Sequence, residues 1–158
     1  MDWLLFAIFL AGCVSAASTG AIFMPDDWYR DLAKPVWTPP DWVFPLTWMV
    51  LYLCIAVAAM RVAMAGGSAH ALGLWAVQMV LNGLWSPIFF GKRRIRAALV
   101  AVGALWCAVA VTMVAFFQID TFAGVLFVPY LLWVSIAASL NFWIWRHNDD
   151  TYAQQPAR

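Results

Sequence analysis

Charge is scarce in this sequence. Asp, Glu, Lys and Arg make up 11% of 158 residues, against about 25% in an ordinary soluble domain. Nine basic and eight acidic residues leave a net charge of +1, which makes no electrostatic case for a nucleic-acid partner. Cysteine is scarce too. Cys13, Cys54 and Cys107 are odd in number and each lies in an apolar run, so they read as buried thiols, not a disulfide frame. His70 and His147 are far apart and no pair has metal-ligand spacing, so no metal site is expected. No Ser-His-Asp or Cys-His set is apparent, and Gly66-Gly67-Ser68 lacks the lysine of a phosphate loop. No firm catalytic residue emerges.

What is abundant is apolar surface, at 65% of residues. A chain this short cannot bury such a surplus, so lipid is the expected solvent. Five apolar runs fall at about 3–24, 42–64, 70–90, 95–118 and 122–145. Each approaches the roughly 20 residues a helix needs to cross hydrocarbon, and none shows the alternation of a barrel strand. The expected fold is an all-α membrane protein: one domain of five transmembrane helices over 1–148, then a polar tail at 149–158. Leu10-Ala11-Gly12-Cys13 resembles a lipoprotein cleavage box, but no basic segment precedes it and the run continues to Met24, so a helix is expected there. Gly12, Ala16 and Gly20 recur every four residues. That stripe suits close helix approach, within one chain or between subunits; the Gly73–Ala76 region is a rival dimer seam.

The first loop, Met24–Asp41, is the only long connection, and it is rich in aromatics and proline. Pro25-Asp26-Asp27 opens a short helix expected at about Asp26–Ala33. Pro39-Pro40 excludes any regular element, so an ordered loop is expected to feed the second span, capped by Asp41. Trp48 and Tyr52 share a face of that span. In the third, Trp75, Gln78, Asn82, Trp85 and Phe89 form one polar-aromatic stripe, and Pro87 bends or ends it. The fourth span reads as scaffold. The fifth carries Pro129, Tyr130, Trp133, Ala137 and Asn141 on one face.

Eight of the nine basic residues fall on the side of the first loop, the third loop and the C-terminus; only Arg61 lies opposite. The positive-inside rule then puts the first loop and C-terminus in the cytoplasm and the N-terminus outside. Lys92–Arg96 reads as the topological anchor. No carboxylate, Lys, Arg or His lies in the interior of a span, which counts against an ion pump or proton-coupled transporter. Trp48, Tyr52, Asn82, Trp85, Tyr130 and Trp133 could line a site for a planar apolar ligand. Periodicity alone leaves plain helix packing open, with Asn82 as interhelical glue; the stiffened loop adds a lid.

These residues resemble the TspO/MBR family, the tryptophan-rich sensory proteins and translocator (peripheral-type benzodiazepine receptor) proteins. The resemblance runs through Trp28-Tyr29 and Leu32-x-Lys34-Pro35-x-Trp37-x-Pro39-Pro40-x-Trp42-x-Phe44-Pro45-x-x-Trp48, then Leu51-Tyr52. It resumes at Gln78-x-x-x-Asn82-x-x-Trp85-Ser86-Pro87-x-Phe89-Phe90-Gly91, Val128-Pro129-Tyr130-Leu131-x-Trp133 and Leu140-Asn141. It implies a five-helix bundle, commonly a homodimer, that binds protoporphyrin IX, haem and benzodiazepine-type ligands, with no required cofactor. The role implied is a receptor in tetrapyrrole sensing, handling or transport. The implied pocket uses Trp28, Tyr29, Trp37, Pro40, Phe44, Trp48, Tyr52, Asn82, Trp85, Trp133 and Ala137, with Arg30 and Lys34 as rim charges for propionates. Trp48 and Trp133 match tryptophans linked to light- and oxygen-dependent porphyrin degradation, a rival enzyme-like reading. Sterol binding is doubtful: Leu140-Asn141-Phe142-Trp143-Ile144-Trp145-Arg146 lacks the tyrosine of the family's sterol motif. A structural, partner-binding protein in contact with membrane lipid is the remaining alternative.

Overall fold

The computed structural model describes residues 2–66 and 69–148. Its five long helices are apolar enough to cross a membrane, and no strand occurs among the described residues. The chain is the expected all-α, five-span membrane bundle. The tail at 149–158 lies outside the described residues.

Helix α1 spans Trp3–Ile22. Asp2 caps it, its Oδ1 accepting from the amides of Leu4 (3.0 Å) and Leu5 (3.1 Å). Short α2, Asp27–Asp31, is capped by Asp26 through the Tyr29 amide. It stops earlier than expected because Leu32 already turns extended (φ −62°, ψ 139°). The loop then closes two turns, Thr38 N to Pro35 O at 3.0 Å and Val43 N to Pro40 O at 2.9 Å. The second turn makes Trp42, not Asp41, the N-cap residue of α3 (Val43–Met64), with no side-chain cap bond. The expected Asp41 cap is therefore corrected: that residue sits one position too far upstream.

Helix α4 spans Ala69–Ser86 and passes at Pro87 into a π turn, Pro87–Gly91. The wide turn is closed by Lys92 N to Pro87 O at 2.8 Å, a five-residue bond. Arg93 follows at φ 51°, a left-handed conformation uncommon for a side-chain-bearing residue. Helices α5 (Ile95–Ile119) and α6 (Thr121–His147) are joined by Asp120 alone, which closes one and caps the other through Ala123 N at 2.8 Å. So tight a reversal needs Gly124, since a Cβ there would overlap the Phe117 ring.

The most extensive packing is between α5 and α6, followed by α4 on α5. Helix α1 rests on α3 and α4 and buries only Cys13 and Ala16. Its small stripe is used inside the chain. A Cβ on Gly12 would lie 2.8 Å from Trp75 Cη2, and one on Gly83 would lie 3.6 Å from Ala16 Cα. In lipid, packing of this kind replaces the hydrophobic drive between helices, and α3 supplies it with Ala56, Ala58 and Ala59, all fully buried. Beside Gly73 there is open space.

Candidate ligand-binding site

The site residues stand on α3, α4 and α6, whose facing stripes meet in a chain of hydrogen bonds. Tyr52 Oη donates to Asn82 Oδ1 at 2.8 Å, Asn82 Nδ2 donates to Tyr130 Oη at 3.0 Å, and Tyr130 Oη donates to Gln78 Oε1 at 2.9 Å. Tyr52 lies nine residues into α3, about 14 Å along its axis at 1.5 Å per residue, so the chain sits near the middle of an apolar core about 30 Å thick. At that depth each unmade bond is costly, which fixes the rotation of all three helices.

Aromatic rings cover this polar floor. Trp48 stacks on Tyr52 (centroids 5.3 Å, planes 28° apart) and meets the edge of Tyr130 at 6.1 Å. Phe44 packs on Trp133 at 5.5 Å, and Ala137 packs against the same core. A second cluster lies nearer the first loop, where Leu32, Phe89, Ile95, Ala98 and Ile144 are buried. Trp28 and Tyr29 meet Phe89 edge-on at 5.8 and 6.0 Å. Trp85 packs against both clusters. It stacks on Phe89 at 4.9 Å and donates its Nε1–H to Asn141 Oδ1 at 3.2 Å. Asn141 in turn donates to Ile95 O at 3.2 Å.

The loop above is held by polar clasps. Arg93 pairs with Asp26 (2.7 Å) and lies over the Trp28 ring. Ala33 and Asn148 exchange two bonds, N to Oδ1 at 2.9 Å and Nδ2 to O at 3.1 Å. Burial pushes the Asp26 carboxyl up, but Arg93 and the Tyr29 amide together bring it below the usual carboxylate range. Burial raises the Tyr29 phenol, helped by Asp41. Burial also lowers the Lys34 ammonium, against the pull of Asp41 and Asp31.

An aromatic wall thus stands over an uncharged polar floor, beneath a clasped loop. The model of the TspO/MBR family matches residues 4–146. The chain belongs to the TspO/MBR family. A tryptophan-rich sensory protein of Cereibacter sphaeroides is 55% identical over 148 residues, 94% of each chain. Protein CrtK of Rhodobacter capsulatus is 45% identical over 152 residues, 94% of this chain and 95% of its own. The translocator protein of Homo sapiens is 39% identical over 126 residues, 77% and 75% of the two chains.

In this TspO/MBR chain the residues singled out by sequence divide into four groups. Phe44, Trp48, Tyr52, Asn82, Tyr130, Trp133 and Ala137 come together at the polar floor. Trp28 and Tyr29 belong to the loop-side cluster, and Trp85 bridges the two. Trp37, 49% exposed, and Pro40, also exposed, join neither. The rim charges have local partners. Arg30 pairs with Asp27 at 3.2 Å on the surface. Lys34 Nζ donates to the carbonyls of Tyr29 (2.7 Å), Arg30 (2.9 Å) and Leu32 (3.1 Å), which matches the three donors of an ammonium and closes the end of α2. Gln78 and Asn141 complete the polar bonds; helical spacing had set both on the right faces without marking them as site residues. Arg93 and Asn148 had no such signal, because their partners are 67 and 115 residues away.

Proposed function

We propose that this protein is an integral membrane receptor for flat tetrapyrroles, protoporphyrin IX or haem, acting in their sensing, handling or passage. The observation that carries the reading is the Trp48–Tyr52 stack beside Tyr130, with Asn82 bonded to both phenols. Flat rings favour a flat, largely apolar partner, and a few polar groups orient it. Propionates would stay at the loop end, where the exposed Arg30 stands. A cytoplasmic loop end agrees with the charge distribution. A homodimer seam through the open α4 face at Gly73 is favoured over α1, whose small stripe already receives α4.

The deciding experiment is titration of the purified protein with protoporphyrin IX, followed by tryptophan fluorescence. Saturable quenching in the wild type, weakened in Asn82→Ala, supports the receptor. No quenching at saturating porphyrin refutes it and leaves a structural, partner-binding role. The second reading, light-driven porphyrin oxidation, is favoured by one observation: Trp48 and Trp133 border the same cluster, each in ring contact with a neighbour. Illumination with and without oxygen tests it. Porphyrin loss that needs oxygen and falls in Trp48→Phe and Trp133→Phe supports an enzyme; loss unchanged in both variants excludes it.

A further inference from the structure

The hydrogen-bond chain at the polar floor has a direction and an unfinished end. Tyr52 donates to Asn82, Asn82 to Tyr130, and Tyr130 to Gln78 Oε1. With its oxygen taken, the Gln78 amide turns its Nε2 donors away from Tyr130. Gln78 is 0% exposed and its Nε2 has no acceptor. One turn back on the same helix, Trp75 Nε1 is also buried without an acceptor. Residues three apart share a helix face, so two neutral donors without acceptors project from one face of α4. The indole is wedged. Gly12 lets its ring approach α1 with no room for a Cβ, and Phe9 meets it edge-on at 5.0 Å. It cannot swing away to find a carbonyl.

Two buried donors with no acceptor call for an acceptor from outside the chain. The buried polar residues described are Gln78, Asn82, Thr112 and Asn141, none of them charged. A carboxylate would enter such surroundings without a counter-charge, at high cost. Both groups are N–H donors, so a ligand hydroxyl or amine gains less there than a pure acceptor. We propose that Trp75 and Gln78 form a subsite for a neutral oxygen acceptor, a ketone, amide or ether oxygen on a flat apolar ligand. The subsite rests on the reading that ligands enter this aromatic cluster, though not on their being porphyrins. It sets ligand orientation: the neutral oxygen faces α1 and α4, while any acidic group stays at the loop end.

Fluorenone and fluorene test it, since they share a flat ring frame and only one carries a carbonyl. Their affinities are measured by equilibrium dialysis in detergent, and partition cancels when the fluorenone-to-fluorene ratio is compared between proteins. The wild-type ratio should exceed that of Trp75→Phe and of Gln78→Met by roughly threefold to tenfold, the span of one neutral hydrogen bond. The bound fluorenone carbonyl band should shift to lower frequency in the wild type and return in both variants. Equal ratios in all three proteins, or a shift that survives both substitutions, overturns the subsite. So does an indole N–H band, isolated as the wild-type minus Trp75→Phe difference, that is already hydrogen-bonded without ligand and unchanged by fluorenone; the donors then hold only structural water. Discrimination by fluorenone in a protein that protoporphyrin does not quench upholds the subsite and refutes the tetrapyrrole reading alone.

Discussion

The hydrogen-bond chain predicts an order of mutational costs that simple burial does not. Tyr130 is 0% exposed and carries two bonds, to Asn82 and Gln78. Tyr52 is only partly buried and carries one, to Asn82. Interhelical bonds in bilayers are worth about 0.6 kcal/mol on average and about 1.7 at most, while a buried group stripped of its partner costs about 1–3 kcal/mol. Tyr52→Phe should therefore cost about 1 kcal/mol, leaving one lone pair of Asn82 unmet. Tyr130→Phe should cost about 2–3 kcal/mol, because it strands both an Asn82 donor and the Gln78 oxygen. The assay is equilibrium unfolding in mixed micelles, followed by circular dichroism. The double-mutant cycle of Tyr52→Phe with Asn82→Ala should give a coupling of about 0.6–1.7 kcal/mol. A coupling indistinguishable from zero, or a Tyr52 cost above that of Tyr130, would refute the directed chain.

Other outcomes follow from single contacts. Asp120 both pairs with Arg61 (2.7 Å) and caps α6; Asn keeps the cap, so Asp120→Asn should cost about 1 kcal/mol for the half-exposed pair and Asp120→Ala about 2. The Arg61 hydrogen bond first, then the Ala123 amide, hold the Asp120 carboxyl below its usual range. Its contribution is thus complete above the unfolded value of about 3.9 and fades as pH falls through the folded value. Unfolding curves of wild type should lose that stability in acid, whereas those of Asp120→Asn should not show this step. Arg93→Gln removes the Asp26 clasp and should speed hydrogen exchange at the Tyr29 amide by about fivefold, an opening cheaper by about 1 kcal/mol. Replacing Pro39 and Pro40 together with Ala should weaken porphyrin binding while all five spans still insert, as read by fluorescence titration and by accessibility of labels at the loops.

The spans were legible because twenty consecutive apolar residues have few other fates. The ends were not. Asp41 satisfies every compositional rule for a cap, yet the Pro40–Val43 turn moves the helix start one residue on. Pro87 announces a break, but only the structure shows the break to be a π turn that continues to Gly91. The polar floor was half legible. Spacing put Trp48 with Tyr52 and Asn82 with Trp85, since 3.6-residue periodicity fixes which residues share a face. It cannot fix how faces of different helices are rotated against each other. That rotation separates Trp28 and Tyr29 from Trp48 by a layer in which Trp85 is the common member. Lys34 shows the same limit, because a lysine at a membrane rim reads as a ligand for anions until three nearby carbonyls are seen around it.

These contacts also divide the molecule into a fixed part and a part that can open. Helices α5 and α6 share a one-residue joint, the broadest packing in the bundle, and the Arg61–Asp120 tie to α3. Separating them would expose much of the core together. The first loop is different: beside the packing of Leu32, Trp28 and Tyr29, polar clasps hold it, among them Asp26–Arg93 and Ala33–Asn148, at partly exposed positions. Such bonds exchange with water or headgroups at little net cost, whereas apolar packing between helices has no such substitute. Local opening concentrates where few buried contacts must break. In the proposed receptor, ligand exchange with the Trp48–Trp133 cluster is therefore cheapest from the loop end, past Trp28 and Trp85. Arg93→Gln should accordingly raise association and dissociation rates together while leaving the equilibrium affinity nearly unchanged.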